Sequence, residues 1–156
     1  MPISAVELHR ALREPAEREL EPVFSPLADE RFALGLETIY EGYLVHYGRP
    51  RVFEPDDGDA ALVLGDYLYA QGLARIASLG EVAAVADLAE LISICAQARA
   101  DGRPGDGAAW AATATGLKHL AASLYGAPDP EATPVHPYHA LAAIADAAPP
   151  QTIYVV

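Results

Sequence analysis

The sequence predicts an all-α protein built as a helical bundle, and three observations support this class. Apolar residues recur three and four positions apart along most of the chain, which places them on one side of a helix. More than half of the 156 residues are apolar, and alanine is the dominant residue. No segment alternates apolar and polar residues convincingly, as a half-buried strand would. The length suits one core, so we expect a single domain over residues 1–156.

The first predicted helix covers residues 4–20 and is polar and charged, with leucines along one side. Ser4 and Glu7 have the spacing of a capping box, in which each side chain satisfies a backbone amide at the helix start. Pro15 has no amide hydrogen to donate, and we expect it to kink or split this helix.

The second predicted helix covers residues 27–47, because its apolar and aromatic side chains recur at helical spacing. Gly48 and Pro50 mark its end, since glycine suits the C-terminal cap and proline cannot continue a helix. An acidic loop follows. Asp59 in this loop is predicted to cap the third helix, which covers residues 60–79.

The fourth and fifth predicted helices cover residues 81–100 and 108–125, and a DGRPGDG turn separates them. Both are rich in alanine, whose small side chain lets helices approach closely. Residues 128–156 are predicted to form a loop, a short sixth helix at 136–148 and an apolar tail. That tail, TIYVV, is the one segment with strand propensity, and it could dock on the bundle.

The charge and the single cysteine exclude several classes of protein. With 22 acidic and 10 basic residues the formal net charge is −12, which repels phosphate backbones and anionic lipids. Nucleic-acid binding is therefore not expected. Asp66, Asp87 and Glu90 interrupt the longest apolar stretches, so no membrane span is predicted. The lone Cys95 and the lack of a basic segment followed by an apolar run at the N-terminus predict a cytoplasmic protein.

Four short motifs stand in an order and spacing that resemble one enzyme family. GRP at 48–50 is followed fifteen residues later by GDYL at 65–68, with ETIYE at 37–41 upstream and GLKHLA at 116–121 downstream. This pattern resembles the trans-type polyprenyl diphosphate synthases, which have Asp-Asp-x-x-Asp, then Arg-Arg-Gly-x-Pro, then a helix that opens Gly-Asp. These all-α enzymes elongate allylic diphosphates with isopentenyl diphosphate. The resemblance covers residues 30–127 and implies a truncated isoprenoid synthase fold.

The resemblance implies five ligand-binding positions in this chain. Glu37 and Glu41 stand at the first and last positions of the family's metal motif. His46 stands at one of the two arginines that grip isopentenyl diphosphate, and Arg49 lies within Gly-x-Pro. Lys118 matches the diphosphate-binding lysine. The residues alone leave another interpretation open, in which the two glutamates form a solvated or salt-bridged helix face.

Departures from the family pattern argue against complete catalysis by this chain alone. In the family, Mg²⁺ ions are held by two aspartate-rich motifs, and Mg²⁺ prefers compact carboxylates in octahedral arrangement. Here Thr38 replaces the middle aspartate, His46 and Tyr47 replace the two arginines, and the second motif is missing. We therefore expect no metal site and no cofactor in this chain, and Mg²⁺ only together with a catalytic partner.

The resemblance thus implies a non-catalytic accessory subunit of a heteromeric long-chain polyprenyl diphosphate synthase, serving quinone side-chain synthesis. The expected partner is the catalytic subunit. In the family the helix equivalent to residues 60–79 lies at the dimer contact, which makes Tyr67, Tyr69 and Leu73 the expected interface. An alternative hypothesis is a homodimer that binds an isoprenoid or other apolar ligand among its helices. A third is an enzyme that uses Glu37 and Glu41 with a single metal ion.

Overall fold

The computed structural model describes residues 3–125 and 153–154, and it is an all-α bundle, as predicted. Its α-helices are α1 (Ala5–Ala11), α2 (Ala33–Tyr47), α3 (Gly58–Ser78), α4 (Val82–Ala100) and α5 (Asp106–Tyr125). Single turns of 3-10 helix lie at Pro15–Glu17, Ser25–Leu27 and Glu30–Phe32. Two short strands, β1 (Ile3–Ser4) and β2 (Ile153–Tyr154), pair in antiparallel register.

Helix α1 begins where the sequence predicts it and ends much earlier. Ser4 caps the helix, and both hydrogen bonds of the predicted capping box with Glu7 are present. The predicted extent of residues 4–20 is wrong, because the backbone becomes extended after Ala11. Backbone groups of this extended segment pair with residues 52–54 and are no longer available to a helix.

Two other helix boundaries also differ from the predictions. Helix α2 begins at Ala33, and not at the start of the predicted range 27–47, because the residues before it form two 3-10 turns packed on the bundle. Helix α3 is capped by Asp57, and not by Asp59. The Asp57 carboxylate accepts a hydrogen bond from the N–H of Ala60 at 2.8 Å.

Helices α4 and α5 agree with the fourth and fifth predicted helices to within two residues at each end. The strand propensity of the tail agrees with β2, which pairs with β1 beside α1. The predicted sixth helix at 136–148 lies outside the described residues.

Helices α2 and α3 form the most extensive helix contact of the described residues, and glycines make it possible. Two glycines on each helix, spaced seven residues apart, meet in antiparallel register: Gly35 faces Gly72, and Gly42 faces Gly65. A Cβ atom on Gly72 would lie 2.4 Å from Ile39 Cγ1 and 2.8 Å from the carbonyl oxygen of Gly35. Only residues without a side chain allow the two backbones to approach so closely.

Two clusters of buried apolar side chains form the core. One cluster joins β1, α1, the end of α2, the loop at 52–53 and the first half of α3. The other joins α2, the end of α3, α4 and α5, with Trp110 among its largest members. Within the described part of the chain, every helix is too short or too polar to cross a membrane.

Candidate functional site

The two glutamates that were predicted as ligand-binding positions lie inside the fold. Glu37 is 1% exposed and Glu41 is 0% exposed, and their spacing of four residues places them on the same side of α2. The Oε1 atom of Glu37 accepts a hydrogen bond from the backbone N–H of Ser25 at 3.0 Å. The interpretation of a solvated helix face is therefore wrong, because both carboxylates are turned away from water.

Glu41 holds the loop that follows α2. Its Oε1 atom accepts hydrogen bonds from the backbone N–H groups of Arg51 at 2.8 Å and Val52 at 3.2 Å. Burial raises the pKa of Glu41 to about 7, although the backbone hydrogen bonds act in the opposite direction. The carboxylate fixes the loop on α2, and the loop in turn pairs with the extended segment after α1.

A short segment, residues 24–28, crosses between α2 and α5, and we call it the strap. Its 3-10 turn contacts both helices. Two backbone hydrogen bonds stay within the strap: Leu27 N–H donates to the Phe24 carbonyl, and Ala28 N–H donates to the Ser25 carbonyl. The N–H of Ser25 ties the strap to Glu37. The strap thus fills the space between α2 and α5.

Aromatic rings pack beneath the strap around Trp110, the single tryptophan of the chain. Phe24 of the strap stacks on Trp110 with ring centroids 5.7 Å apart, and Tyr40 meets both rings edge-on. Tyr43 lies 5.6 Å from Trp110. Two buried polar atoms of this region, Glu37 Oε2 and Trp110 Nε1, have no hydrogen-bond partner within the described residues.

A polar network closes the end of the bundle where α4 turns into α5. The hydroxyl of Tyr43 donates to Asp106 Oδ2 at 2.5 Å and accepts a hydrogen bond from Arg99 Nε at 3.0 Å. Arg99 also donates to Asp106 at 2.7 Å, and its guanidinium lies over the Tyr43 and Tyr47 rings. Burial and the Asp106 bond raise the pKa of Tyr43 to about 12, and the Tyr43 bond lowers the pKa of Asp106. The network ties α2, α4 and α5 together.

His46 lies in the contact between α2 and α3. Its Nε2 atom is 3.1 Å from Asp66 Oδ1, and its ring centroid is 5.1 Å from that of Tyr69. The ring also lies against the backbone of Gly65, where an added Cβ would come within 2.5 Å of it. Burial raises the pKa of Tyr69. The close approach of the His46 ring requires glycine at position 65, and the neighbouring Asp66 contacts the imidazole.

The two cationic candidates, Arg49 and Lys118, are at the surface. The Arg49 side chain is 74% exposed and donates to Glu19 at 3.3 Å. Lys118 is exposed on α5. The ligand-binding role of the five family-equivalent positions stays a prediction, and Glu37, Glu41 and His46 already have partners within the protein.

The three predicted interface residues on α3 are partly or fully covered by the chain itself. Tyr67 is buried in the cluster with α1, while Tyr69 and Leu73 are half-buried against the cluster around Trp110. Their role in an interface stays a prediction. Exposed large apolar side chains of α3 and α4 lie elsewhere on these helices, at Leu62, Val82 and Ile94.

Two open cavities lie on the surface of the bundle. A cavity of about 350 Å³ lies between α1 and the start of α3 and is bordered by Glu7, Asp56, Asp57 and Asp59. A second, of about 370 Å³, lies between α4 and α5, with Asp87 and Glu90 at its border. Residues 3–125 contain no group of three His, Cys, Asp or Glu side chains arranged to hold a metal ion.

Comparisons with known proteins found no relative of this chain. No protein-family model matches it, and neither a curated protein nor a solved structure is significantly similar to it. The resemblance to polyprenyl diphosphate synthases therefore rests on the spacing of the sequence motifs.

Three features of the site were not predicted: the strap, the inward direction of the glutamates, and the Tyr43–Arg99–Asp106 network. Asp29, a residue type that favours helix N-caps, was a signal that the predicted second helix is interrupted. Arg99 lies just before the DGRPGDG turn and Asp106 lies near its end, and opposite charges at the two ends of a tight turn between helices were a signal for their ion pair. No sequence signal indicated which way the glutamates point.

Proposed function

We propose that this chain is a non-catalytic helical subunit that acts by packing against a catalytic polyprenyl diphosphate synthase chain. One observation supports the non-catalytic part above all: the burial of Glu37 and Glu41. Both carboxylates accept backbone hydrogen bonds inside the fold. A Mg²⁺ ion in a diphosphate site keeps several water and phosphate ligands, and these need open space beside the carboxylates.

The surroundings of His46 point in the same direction. The residue replaces an arginine of the family pattern, and its ring is directed to Asp66. An imidazole carries at most one charge and cannot form the planar fork with which arginine grips a diphosphate. The third hypothesis, an enzyme that uses Glu37 and Glu41 with one metal ion, is therefore not supported by the geometry.

The packing part of the proposal is supported by exposed apolar side chains on α3 and α4. Leu62 is 57% exposed, Val82 is 80% exposed, and Ile94 is 51% exposed. A contact with another protein would bury these side chains, which the described part of the chain leaves exposed. These two helices would dock on the catalytic subunit, and their bulky residues would shape the floor of its product tunnel. The apolar-ligand homodimer has no support from the two cavities described above, which are open and have acidic borders.

The test is co-expression of the tagged chain with a polyprenyl diphosphate synthase from the same source, followed by affinity capture. We expect the wild-type chain to recover the synthase at equal stoichiometry, and Leu62→Arg and Ile94→Arg to lose it, because a charge cannot be buried in an apolar contact. Val6→Arg is the matched control, since Val6 is 44% exposed on α1. No capture by the wild type, or equal capture by all variants, would contradict the proposal.

A further inference from the structure

The space between α2 and α5 holds a carboxylate without a counter-charge. Glu37 is 1% exposed, its Oε1 atom is bonded to the Ser25 N–H, and its Oε2 atom has no partner. No basic side chain of the described residues forms a salt bridge with Glu37. Burial of an unpaired charge is costly, and a cationic group placed beside it removes that cost.

Aromatic rings pack against Phe24, which directly precedes the Ser25 that Glu37 binds. Trp110, Tyr40 and Tyr43 lie within ring-contact distance of one another, and the ring of Phe24 from the strap stacks on Trp110 with an interplanar angle of 22°. Tryptophan offers the most favourable ring face for an organic cation, followed by tyrosine and phenylalanine. Phe24 thus occupies the ring face that a cation would use.

We propose that the region between α2 and α5 that the strap covers binds a small organic cation of the quaternary ammonium class once the strap lifts. Glu37 provides the negative charge, and Trp110 and Tyr40 provide the ring faces, since the Tyr43 ring already carries the Arg99 guanidinium. The unpaired Nε1–H of Trp110 donates to a hydroxyl oxygen of the ligand, so an ammonium alcohol uses all of these groups. This inference does not depend on the proposed function.

Entry of the ligand requires the strap to lift away from α2 and α5. Its two backbone hydrogen bonds are internal, its Phe24 ring is half-buried, and Leu27 is 41% exposed. Lifting it breaks the bond between Ser25 and Glu37 and frees both carboxylate oxygens for the cation. The ligand then takes the place of the Phe24 ring, which is how a minor open state becomes the dominant state upon binding.

The fluorescence of Trp110 reports binding directly, because the chain has no other tryptophan. The probe is choline, and the control ligand is its uncharged isostere, in which carbon replaces the quaternary nitrogen. We expect choline to change the emission of Trp110 in a saturable way and the isostere to bind about tenfold more weakly, since only choline gains the cation–π and carboxylate interactions.

Three variants complete the test. Phe24→Ala removes the competing ring and is expected to tighten choline binding by about tenfold, because more of the protein is then in the open state. Glu37→Gln keeps the acceptor for Ser25 but loses the charge, and binding is expected to weaken by about tenfold. Glu54→Gln, a surface carboxylate beside Arg13, makes the same change of charge and leaves binding unchanged.

Three results would overturn the proposal. The first is an emission of Trp110 that does not respond to choline in either the wild type or Phe24→Ala. The second is equal affinity of the wild type and Glu37→Gln, with far-UV circular dichroism showing that both are folded. A response to the isostere as strong as that to choline would likewise contradict it, because an apolar site would then explain the binding.

Discussion

Replacement of Gly72 by alanine tests the closest helix contact in the fold. The added Cβ would lie 2.4 Å from Ile39 Cγ1 and 2.8 Å from the carbonyl oxygen of Gly35. The isoleucine side chain can rotate away, but the backbone oxygen cannot, so α2 and α3 must move apart. Over-packing costs about 1–3 kcal/mol, and the preference of helices for alanine contributes about 1 kcal/mol in the opposite direction.

Because a backbone atom is the obstacle, the upper part of this range applies, and Gly72→Ala should lose about 2 kcal/mol. For a chain of this length that loss lowers the thermal midpoint by about 4–8 °C. Gly35→Ala should lose less, since its nearest obstacle at 2.5 Å is the movable Ile76 side chain. Urea unfolding followed by far-UV circular dichroism gives the free energies.

Gly116→Ala is the matched control, because Gly116 lies on α5 and a Cβ there meets no atom within 4 Å. It should gain about 0.5–1 kcal/mol from helix propensity alone. The expected order of stability is therefore Gly116→Ala, wild type, Gly72→Ala. If Gly72→Ala is stabilised as much as Gly116→Ala, then α2 and α3 do not meet at their glycines, and the reasoning is refuted.

Three further predictions concern single side chains. Burial raises the pKa of Glu41 from 4.5 to about 7, so the folded protein favours the protonated side chain. This preference contributes fully to the free energy of unfolding below pH 4.5 and is lost as the pH rises through 7. Glu41→Gln should remove this pH-dependent loss of stability, which is on the order of 3 kcal/mol. If the free energy of urea unfolding depends on pH as strongly in the variant as in the wild type, the prediction is refuted. Arg99→Met should destabilise the protein, and a double-mutant cycle with Asp106→Asn should show non-additive losses. Ser4→Ala should cost about 1 kcal/mol and speed amide hydrogen exchange in α1 but not in α4; equal exchange would show that the capping box is not needed.

The helices that could be predicted from the sequence are those whose ends depend on local chemistry. The Ser4 capping box marks the start of α1, and the DGRPGDG turn separates α4 from α5. The end of α1 at Ala11 depends on pairing with residues 52–54, far along the chain. Periodicity cannot reveal such a partner, and for this reason the predicted first helix was too long.

The candidate site could be predicted only in part, for the same physical reason. The spacing of Glu37 and Glu41 gives one helix face, but the direction of that face depends on which segments cover it. The strap covers Glu37, and residues 51–53 cover Glu41, each through backbone amides that carry no sequence signature. The sequence did carry a signal for the contact between α2 and α3. The glycines at 35 and 42 have the same spacing as those at 65 and 72, which fits two helices packed in antiparallel direction.

The central claim is that this chain supports a catalytic synthase without providing metal ligands. The most direct test is the Mg²⁺-dependent rate of isopentenyl diphosphate incorporation by the complex of the chain with that synthase. The wild-type chain is compared with the double variant Glu37→Gln, Glu41→Gln, and recovery of the complex is checked in parallel. We predict equal rates. A loss of about tenfold or more with the complex intact would show that these carboxylates act in catalysis and would contradict the account.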